Sequence, residues 1–315
     1  MTTPTPKVTI GLPVFNGENF LAEAVESILT QTFMDFELVI SDNASTDRTE
    51  QICRDFAARD SRIRYFRNNE NMGASWNFNR VFELARGVYF KWAAHDDRCE
   101  PEYLERCVKV LDENAEVVLA YPRALSIDMQ GNLCPSGEHD LHEDAPDPWE
   151  RFRFLIWVEH GCTLIFGLIR ADVLRKTPLM GSYIGSDRIL IAELSLHGPF
   201  RRIPEMLFIH RDHAARSVRA YELGLPRLAW FDPRVADRKP YPYWRMFKEY
   251  FKAAGRSPLG PVARARCFFQ MLRWVKRHRK DLIGDLDFFS RPTAITGSSE
   301  SGGVQTPTDQ LSSKQ

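Results

Sequence analysis

Two adjacent carboxylates, Asp96 and Asp97, follow an apolar stretch that ends at Trp92. The stretch Val88–Trp92 is typical of a buried strand, because its aromatic and β-branched residues favour a covered, pleated position. Acids are not buried without partners, so the pair should lie at the rim of a sheet. Carboxylate oxygens there can hold a hard divalent cation that still accepts phosphate oxygens. Taken alone, the pair is more simply interpreted as a solvated acidic turn. The surrounding elements must therefore decide between such a turn and a cation site.

The segments before this pair alternate between strand and helix. Short apolar stretches predict strands at residues 8–15, 36–40, 63–67 and 88–92, and the segments between them have helical spacing. This alternation predicts parallel strands with crossover helices, whose ligands bind beyond the carboxyl ends of the strands. We therefore expect three segments to converge on one crevice: Pro13–Phe15, Asp42–Asn43 and Asp96–Asp97.

The composition excludes several classes of protein. The chain has 315 residues, 43% hydrophobic and 27% charged, with 42 Lys and Arg against 42 Asp and Glu, so no net field indicates nucleic acid. Six scattered cysteines without a C-x-x-C pair favour free thiols in a reducing cytosol. Residues 1–7 lack the apolar core of a signal peptide, and no apolar run approaches the roughly 18 residues that span a bilayer. We expect a cytoplasmic protein without membrane-spanning helices.

The first strand argues against two common nucleotide-binding classes. A dehydrogenase needs G-x-G-x-x-G at this point, but the sequence from Gly11 to Gly17 lacks that spacing, and a Walker loop is also absent. A crevice without a glycine-rich phosphate cradle must neutralise a diphosphate in another way. A cation held by carboxylates would do so.

Four blocks of sequence occur in a characteristic order and spacing: Val8–Gly17, Val39–Thr49, Asn71–Gly87 and Ala94–Asp97. In this set, which covers about residues 7–125, the chain resembles the family 2 glycosyltransferases. The resemblance implies an α/β, GT-A nucleotide-diphospho-sugar transferase fold, with a mainly parallel Rossmann-like sheet flanked by helices and a helical C-terminal extension.

The resemblance also implies roles for residues that bind the donor nucleotide. Pro13 and Phe15 match positions lining the nucleotide pocket, and Asp42 matches the acid that accepts a hydrogen bond from the base. Asn79 matches an asparagine of the donor-binding helix. A turn-forming role for Asp42 and a surface or capping amide for Asn79 remain open alternatives.

The same resemblance implies a divalent metal, Mn²⁺ or Mg²⁺, on the donor diphosphate. Asp96 and Asp97 match the family's Asp-x-Asp-like element, with Asp96 on the donor and Asp97 on the metal, while His95 stands where many relatives have another Asp. Phe78 stands where many relatives carry Arg or Lys. His213 matches a histidine that reaches the metal or diphosphate, in a segment that also contains Arg211 and Ser217; a surface histidine is its alternative.

Asp187 is the residue that the resemblance implies as catalytic base. It begins a predicted helix that ends near His197, where the helix dipole would keep a carboxylate ionised. An inverting transferase needs such a carboxylate to accept the proton of the acceptor hydroxyl. An N-cap is the structural alternative. Arg188 and Arg211 are candidate contacts of acceptor or phosphate, with a surface ion pair as the alternative for Arg188.

The predicted organisation has five parts: a flexible N-terminus (1–6), a nucleotide-sugar-binding half (7–125), an acceptor-binding half (126–218), a helical C-terminal extension (219–290) and a disordered tail (291–315). Gly161–Ile169 is expected to be a buried strand. Ala263–Lys280 is expected to be one basic amphipathic helix, which either contacts the inner face of the membrane peripherally or packs on the domain with a solvated basic face.

These observations predict an inverting glycosyltransferase. It would move a sugar from a UDP-, dTDP- or GDP-linked donor to a hydroxyl group of a glycan, glycolipid or secondary metabolite, and a glycan or glycolipid of the cell envelope is the acceptor that the basic helix suggests. Two alternatives remain open: a sugar-phosphate nucleotidyltransferase and a non-catalytic glycan-binding module. No nucleic-acid partner is expected.

Overall fold

The computed structural model describes residues 5–134, 142–158, 160–213, 225–235 and 241–288. Several predictions fall outside these ranges: Ser217, the first four residues of the N-terminal segment, the tail 291–315, and parts of the acceptor-binding half 126–218 and of the C-terminal extension 219–290.

Strands and helices alternate in the first part of the chain, as the apolar spacing predicts. The strands are β1 (Val8–Val14), β2 (Phe36–Asp42), β3 (Ile63–Arg67) and β4 (Tyr89–Trp92). The helices between them are α1 (Leu21–Leu29), α2 (Thr49–Arg59) and α3 (Ala74–Glu83). Because a helix crosses over between successive strands, β1 pairs in parallel with β2 and β4, and β2 pairs in parallel with β3.

The second part extends the same sheet with mixed pairing. Its strands are β5 (Arg98–Cys99), β6 (Leu119–Ile127), β7 (Leu133–Cys134), β8 (Leu168–Arg170) and β9 (Phe200–Arg211). Its helices are α4 (Tyr103–Glu113), α5 (Pro148–Trp157), α6 (Ala171–Leu174) and α7 (Ser186–His197). The order across the sheet is β3-β2-β1-β4-β8-β6-β9-β5, with β7 paired to β6. β8 runs antiparallel to both its neighbours, whereas β6 and β9 are parallel.

The predicted strand Gly161–Ile169 is wrong over most of its length. Residues Thr163–Phe166 form a 3-10 turn, and extended pairing begins only at Leu168. Cys162 adopts a left-handed conformation with φ of 57°, which ends extended backbone at that point. The apolar run misled the prediction because Leu164 and Ile165 are buried in a turn just as they would be in a strand.

The sheet has a hydrophobic core on each face. β1 and β2 are buried along their whole length because helices cover both sides of them. Leu38 packs in the core of one face and Val39 in the core of the other, as the two-residue period of a strand requires. At Gly11 a Cβ atom would lie 2.7 Å from the Val81 side chain, so α3 packs on β1 at a distance that only glycine permits.

The C-terminal part is helical, as predicted. It contains α8 (Leu225–Phe231), a 3-10 turn at Pro233–Val235, α9 (Pro242–Arg256), α10 (Pro261–Arg277) and α11 (Arg279–Phe288). The single helix predicted over Ala263–Lys280 is therefore two helices. His278 leaves helical geometry between them, with its ring 4.3 Å from that of Trp274 and its Nδ1 3.0 Å from Asp281. Within the ranges described, no helix combines the length and hydropathy needed to cross a bilayer.

Candidate active site

Three loops meet at the carboxyl ends of β1, β2 and β4. Val14 lies opposite Asp42 across β1 and β2, and the Asn43 N–H donates to the Val14 carbonyl over 2.8 Å. On the other side of β1, the Ala93 N–H donates to the Gly11 carbonyl over 2.8 Å. The structure thus brings together the three segments that the alternating pattern places at one crevice.

The first loop contributes Pro13 and Phe15. Pro13 is buried in β1. Because β4 pairs with β1 only as far as Gly11, no β4 residue needs a hydrogen bond from the backbone nitrogen of Pro13, which has no N–H to give. The Phe15 side chain is 41% exposed at the end of the strand. A Cβ atom at Gly17 would lie 2.9 Å from the His95 ring, so the first loop touches the loop that carries the acidic pair.

The Asp42 carboxylate is fully buried and accepts three hydrogen bonds. Its donors are the Ser45 N–H at 2.8 Å, the Tyr65 hydroxyl at 2.9 Å and the Arg67 Nη1 at 2.6 Å. Burial raises the pKa of Tyr65, and the hydrogen bond to Asp42 raises it further, so the phenol stays protonated as a donor. Asp42 therefore shapes the loop after β2. Its predicted contact with a base remains a prediction.

Two asparagines of α3 point to different parts of the molecule. The buried Asn77 donates through Nδ2 to the Ser41 carbonyl at 2.9 Å, at the carboxyl end of β2. Asn79 donates to the Met180 carbonyl at 2.9 Å and accepts from the Met180 N–H at 3.0 Å. Asn77 is thus the amide at the crevice, which our sequence analysis missed; its position four residues before Val81 on the apolar face was the available signal. The predicted donor contact of Asn79 remains a prediction, because both polar ends of its amide bind Met180.

Asp96 faces His213 across the crevice. The Asp96 Oδ2 and His213 Nε2 atoms lie 2.9 Å apart, and the His213 ring packs 5.2 Å from the ring of Phe20. Burial would raise the pKa of Asp96, but the His213 hydrogen bond and the charges of His95 and His213 lower it to about 2. The Asp96 carboxylate is therefore ionised at neutral pH.

Asp97 faces β9 instead. Its Oδ1 accepts the Arg211 N–H at 2.9 Å and lies 3.0 Å from the His210 Nδ1. These contacts fix the end of β9 against the acidic loop, and His213 follows two residues beyond that strand. Our sequence analysis did not identify His210. The signal was its spacing of three residues from His213, at the end of an apolar strand.

The Arg211 guanidinium is buried behind the acidic loop. Nη2 pairs with the Glu23 Oε2 at 2.6 Å, Nε donates to the Asp96 carbonyl at 3.2 Å, and the group lies 4.6 Å from the centre of the Phe20 ring. Arg211 thus connects α1 to the loop and orients the Asp96 backbone. Its predicted phosphate contact remains a prediction.

The contact between Asp96 and His213 suits a divalent cation. Ligands on neighbouring corners of an octahedron at about 2.1 Å from a metal lie about 3 Å apart, close to the 2.9 Å between these two atoms. A carboxylate oxygen is a ligand that both Mn²⁺ and Mg²⁺ accept, whereas an imidazole nitrogen suits a transition-metal ion, so this pair fits Mn²⁺ better than Mg²⁺. No group of three or more His, Cys, Asp or Glu side chains arranged to hold a metal is present in the described part of the chain. The further ligands would therefore be water and diphosphate oxygens.

Asp187 belongs to a second cluster at the start of α7. It lies in the first turn, after Gly185 in a left-handed conformation with φ of 82°, and its Oδ1 accepts the Arg188 N–H at 2.8 Å. The Cys162 thiol lies against it. Burial raises the pKa of that thiol well above its usual value, and the Asp187 charge raises it further. Burial lowers the pKa of the Arg227 guanidinium, and the nearby Asp187 charge partly offsets that lowering.

Arg188 is anchored beside Asp187. Its Nη2 donates to the Val158 carbonyl at 3.0 Å, whereas its buried Nε has no hydrogen-bond partner among the described residues. Asp187 forms no hydrogen bond or ion pair with Asp96 or His213 in the described part of the chain. The structure therefore contains two separate clusters, one at Asp96 and one at Asp187. The amide of Asn79 links α3 to the segment that leads into the second cluster.

Comparison with known proteins identifies a family. The model of Glycosyl transferase family 2 matches residues 9–177 of the 315. An uncharacterised glycosyltransferase of Rickettsia typhi is 31% identical over 173 residues, which are 52% of this chain and 51% of that protein. Chondroitin synthase of Escherichia coli is 33% identical over 132 residues, which are 42% of this chain and 19% of the synthase. The chain thus spans about half the length of the Rickettsia typhi relative and about a fifth of the length of the synthase.

Solved structures show the same fold at low identity. S. aureus TarS 1-349 in complex with UDP-GlcNAc aligns with a TM-score of 0.65 at 13% identity, over 90% of this chain and 80% of that one. The mannosyltransferase PcManGT from Pyrobaculum calidifontis, in complex with GDP-Man and Mn²⁺, aligns with a TM-score of 0.54 at 16% identity, over 94% and 77%. The predicted GT-A fold is confirmed. The chain belongs to glycosyl transferase family 2.

Proposed function

We propose that this glycosyltransferase transfers a sugar from a nucleoside-diphosphate donor to a hydroxyl acceptor, with inversion at the anomeric carbon. The observation that carries the proposal is the pairing of Asp96 with His213 at the edge where β1, β2 and β4 end. An ionised carboxylate and an imidazole at a strand-end crevice suit a cation that faces a diphosphate. Two proteins of this fold, TarS and PcManGT, bind UDP-GlcNAc and GDP-Man, the second with Mn²⁺, which supports this donor class.

In this proposal Asp96 and His213 hold the cation, and Asp97 keeps β9 in place behind them. When bound, the cation offsets the charge that develops on the departing diphosphate. Phe15 lies at the same edge with an exposed ring that can pack on the nucleotide, and Asp42 forms the wall of the pocket after β2.

We assign the base to Asp187. Its carboxylate accepts the proton of the acceptor hydroxyl while that oxygen forms a bond to the anomeric carbon. The bond from the anomeric carbon to the donor phosphate breaks on the opposite face, and the nucleoside diphosphate leaves with that electron pair. Asp187 lies in the first turn of α7, and the Arg188 N–H donates to its Oδ1, which fixes the carboxylate at the start of the helix.

The basic C-terminal helices suggest the acceptor class. We propose a glycan, glycolipid or secondary-metabolite hydroxyl and a cytoplasmic location. Membership of a glycosyltransferase family supports sugar transfer over the two alternatives, a nucleotidyltransferase and a non-catalytic glycan-binding module.

The test begins with a thermal-shift screen of UDP, dTDP and GDP with and without Mn²⁺. Transfer assays then use nucleotide sugars that carry the nucleoside found to bind. Asp187→Asn should lower turnover by about 10²- to 10⁴-fold, because the base is lost. Donor binding should be unchanged. Asp172→Asn, an exposed acid on α6, is the matched control and should retain activity. Full turnover of Asp187→Asn, or a product that retains the donor's anomeric configuration by NMR, would refute the mechanism.

A further inference from the structure

A basic pocket of about 520 Å³ lies on the C-terminal helices, between α5, α10 and α11. Two aromatic side chains, Trp157 and Phe269, form part of its lining. The remaining lining residues are five cations: Arg273, Lys276, Arg277, Arg279 and Lys280. We call this site the basic pocket.

The five cations have no counter-charge. No acid lines the pocket, and none of the five side chains forms an ion pair or hydrogen bond within the described ranges. The nearest acid along the chain, Asp281, is engaged by His278 at 3.0 Å. Arg273 and Arg277 instead lie 5.0 and 5.4 Å from the centre of the Trp157 ring. Stacking on this ring orients the two guanidinium groups and leaves their charge free to attract an anion.

The two helices that carry the cations also carry exposed apolar side chains. On α10, Phe269 is 58% exposed and Leu272 is 67% exposed, and on α11 Ile283 is 56% exposed. Spacings of three and four residues put Phe269, Leu272, Arg273 and Lys276 on one exposed face of α10. A soluble anion would use the cations but would leave these apolar groups in water. A lipid surface uses both, because its phosphates lie directly above an apolar layer.

We propose that this face binds the surface of an anionic phospholipid bilayer. Phosphate groups of the lipids occupy the basic pocket, and Phe269, Leu272 and Ile283 enter the boundary between head groups and acyl chains. The inference goes beyond the transfer reaction, because it concerns the surface on which the enzyme works. It also replaces the predicted single helix as the membrane contact, since the pocket needs residues of α5, α10 and α11 together.

Vesicle flotation of the full chain tests this directly. The protein should float with vesicles of phosphatidylcholine and phosphatidylglycerol, should not float with phosphatidylcholine alone, and should be released by salt. Each cation near an anionic surface strengthens binding by about fivefold, so Arg273→Gln/Arg277→Gln should weaken it by roughly 25-fold. Arg54→Gln/Arg59→Gln on α2 changes the net charge equally and is the matched control, with little effect expected.

A second variant separates the lipid surface from a soluble anion. Phe269→Ser/Leu272→Ser should also weaken flotation, and because both side chains are exposed the fold should be kept. The proposal fails if no vesicle binds, if the two arginine pairs have equal effects, or if inorganic diphosphate binds the pocket by calorimetry while vesicles do not. Donor binding should be unchanged in every variant, so failure of this inference would leave the proposed reaction intact.

Discussion

At the scale of single residues, three aspartates of one crevice have different environments. Asp42 accepts from three donors, Asp97 accepts the Arg211 N–H and lies beside the His210 ring, and Asp96 faces the His213 ring. A carboxylate that already accepts several internal hydrogen bonds mainly supports the structure, whereas one that faces another ligand atom can take a cation. The three aspartates therefore differ in their partners, and only Asp97 is also held by a backbone N–H of β9.

This difference predicts unequal effects of substitution on metal-dependent donor binding. Asp96→Asn should weaken Mn²⁺-dependent binding of the nucleoside diphosphate by more than about 100-fold, because a direct ligand is lost. Asp97→Asn should weaken it by about 10- to 100-fold, as is usual for a group that orients a ligand. Calorimetry with and without Mn²⁺ measures both. A larger loss for Asp97→Asn than for Asp96→Asn would show that Asp97 is the metal ligand that the family resemblance implies.

At the scale of elements, α3 connects the two clusters of the site. Asn77 and Asn79 are two residues apart and therefore about 200° apart around the helix. One amide binds the carboxyl end of β2, and the other binds Met180, in the segment that leads to α7. The helix thus couples the position of Asp187 to the donor crevice.

Removing the outer amide should loosen this connection. Asn79→Ala leaves the Met180 N–H and carbonyl without their partner and should lower the free energy of unfolding by about 1–3 kcal/mol. Turnover should also fall, because Asp187 loses its fixed position, while donor binding is preserved. Arg80→Ala on the same helix is the control. Weakened donor binding with normal turnover would instead support the predicted nucleotide contact of Asn79.

A buried carboxylate joins three strands on the side of α3. Glu37 on β2 accepts from the Thr9 hydroxyl at 2.7 Å, from Arg64 at 2.9 Å and from the Arg86 Nη2 at 2.5 Å. Burial by itself would raise the pKa of Glu37, but the hydrogen bonds from Arg86, Thr9 and Arg64 outweigh it, so the pKa lies below its ordinary value of 4.5.

The lowered pKa predicts an acid-dependent loss of stability. The contribution of Glu37 is complete above pH 4.5 and is lost as the pH falls through the lower pKa of the folded state. Glu37→Gln should lower the free energy of unfolding at pH 7 by about 1–3 kcal/mol and should flatten its decline below pH 4.5. Urea denaturation at a series of pH values measures both effects. Parallel curves for the two proteins would contradict this assignment.

At the scale of the whole molecule, the C-terminal helices belong to the main core. Tyr250, Met271 and Trp274 lie in the same hydrophobic cluster as Phe90 and Trp92 of the sheet. The described helices of the predicted extension at 219–290 therefore pack in one core with the sheet, even though the family match ends at residue 177.

A shared core predicts cooperative unfolding of the sheet and the C-terminal helices. Trp274→Ala removes a fully buried ring from α10 and should lower the free energy of unfolding by about 3–5 kcal/mol. Loss of donor binding and loss of helical circular dichroism should occur at the same urea concentration, because one core supports both. Phe269→Ala, at an exposed position of the same helix, is the control. Two separate transitions would indicate that the C-terminal helices fold as an independent unit.

The sequence by itself determined the alternating strands and helices up to residue 92, the edge of the sheet at which the three candidate segments meet, and the family. These features follow from local periodicity and from the order of short motifs, and both can be read from the linear sequence. The strand over residues 161–169 was predicted wrongly, because an apolar run indicates burial and not backbone conformation. The single helix over 263–280 was also wrong, because His278 leaves helical geometry where its ring contacts Trp274 and Asp281.

Only the tertiary structure decided which polar groups meet. It placed His213 against Asp96, His210 against Asp97 and Cys162 against Asp187, over separations of 25 to 117 residues along the chain. It also joined residues of three helices in the basic pocket. Such contacts depend on how β9 and the helices pack on the sheet, and packing is set by the shapes of many side chains together rather than by any local pattern.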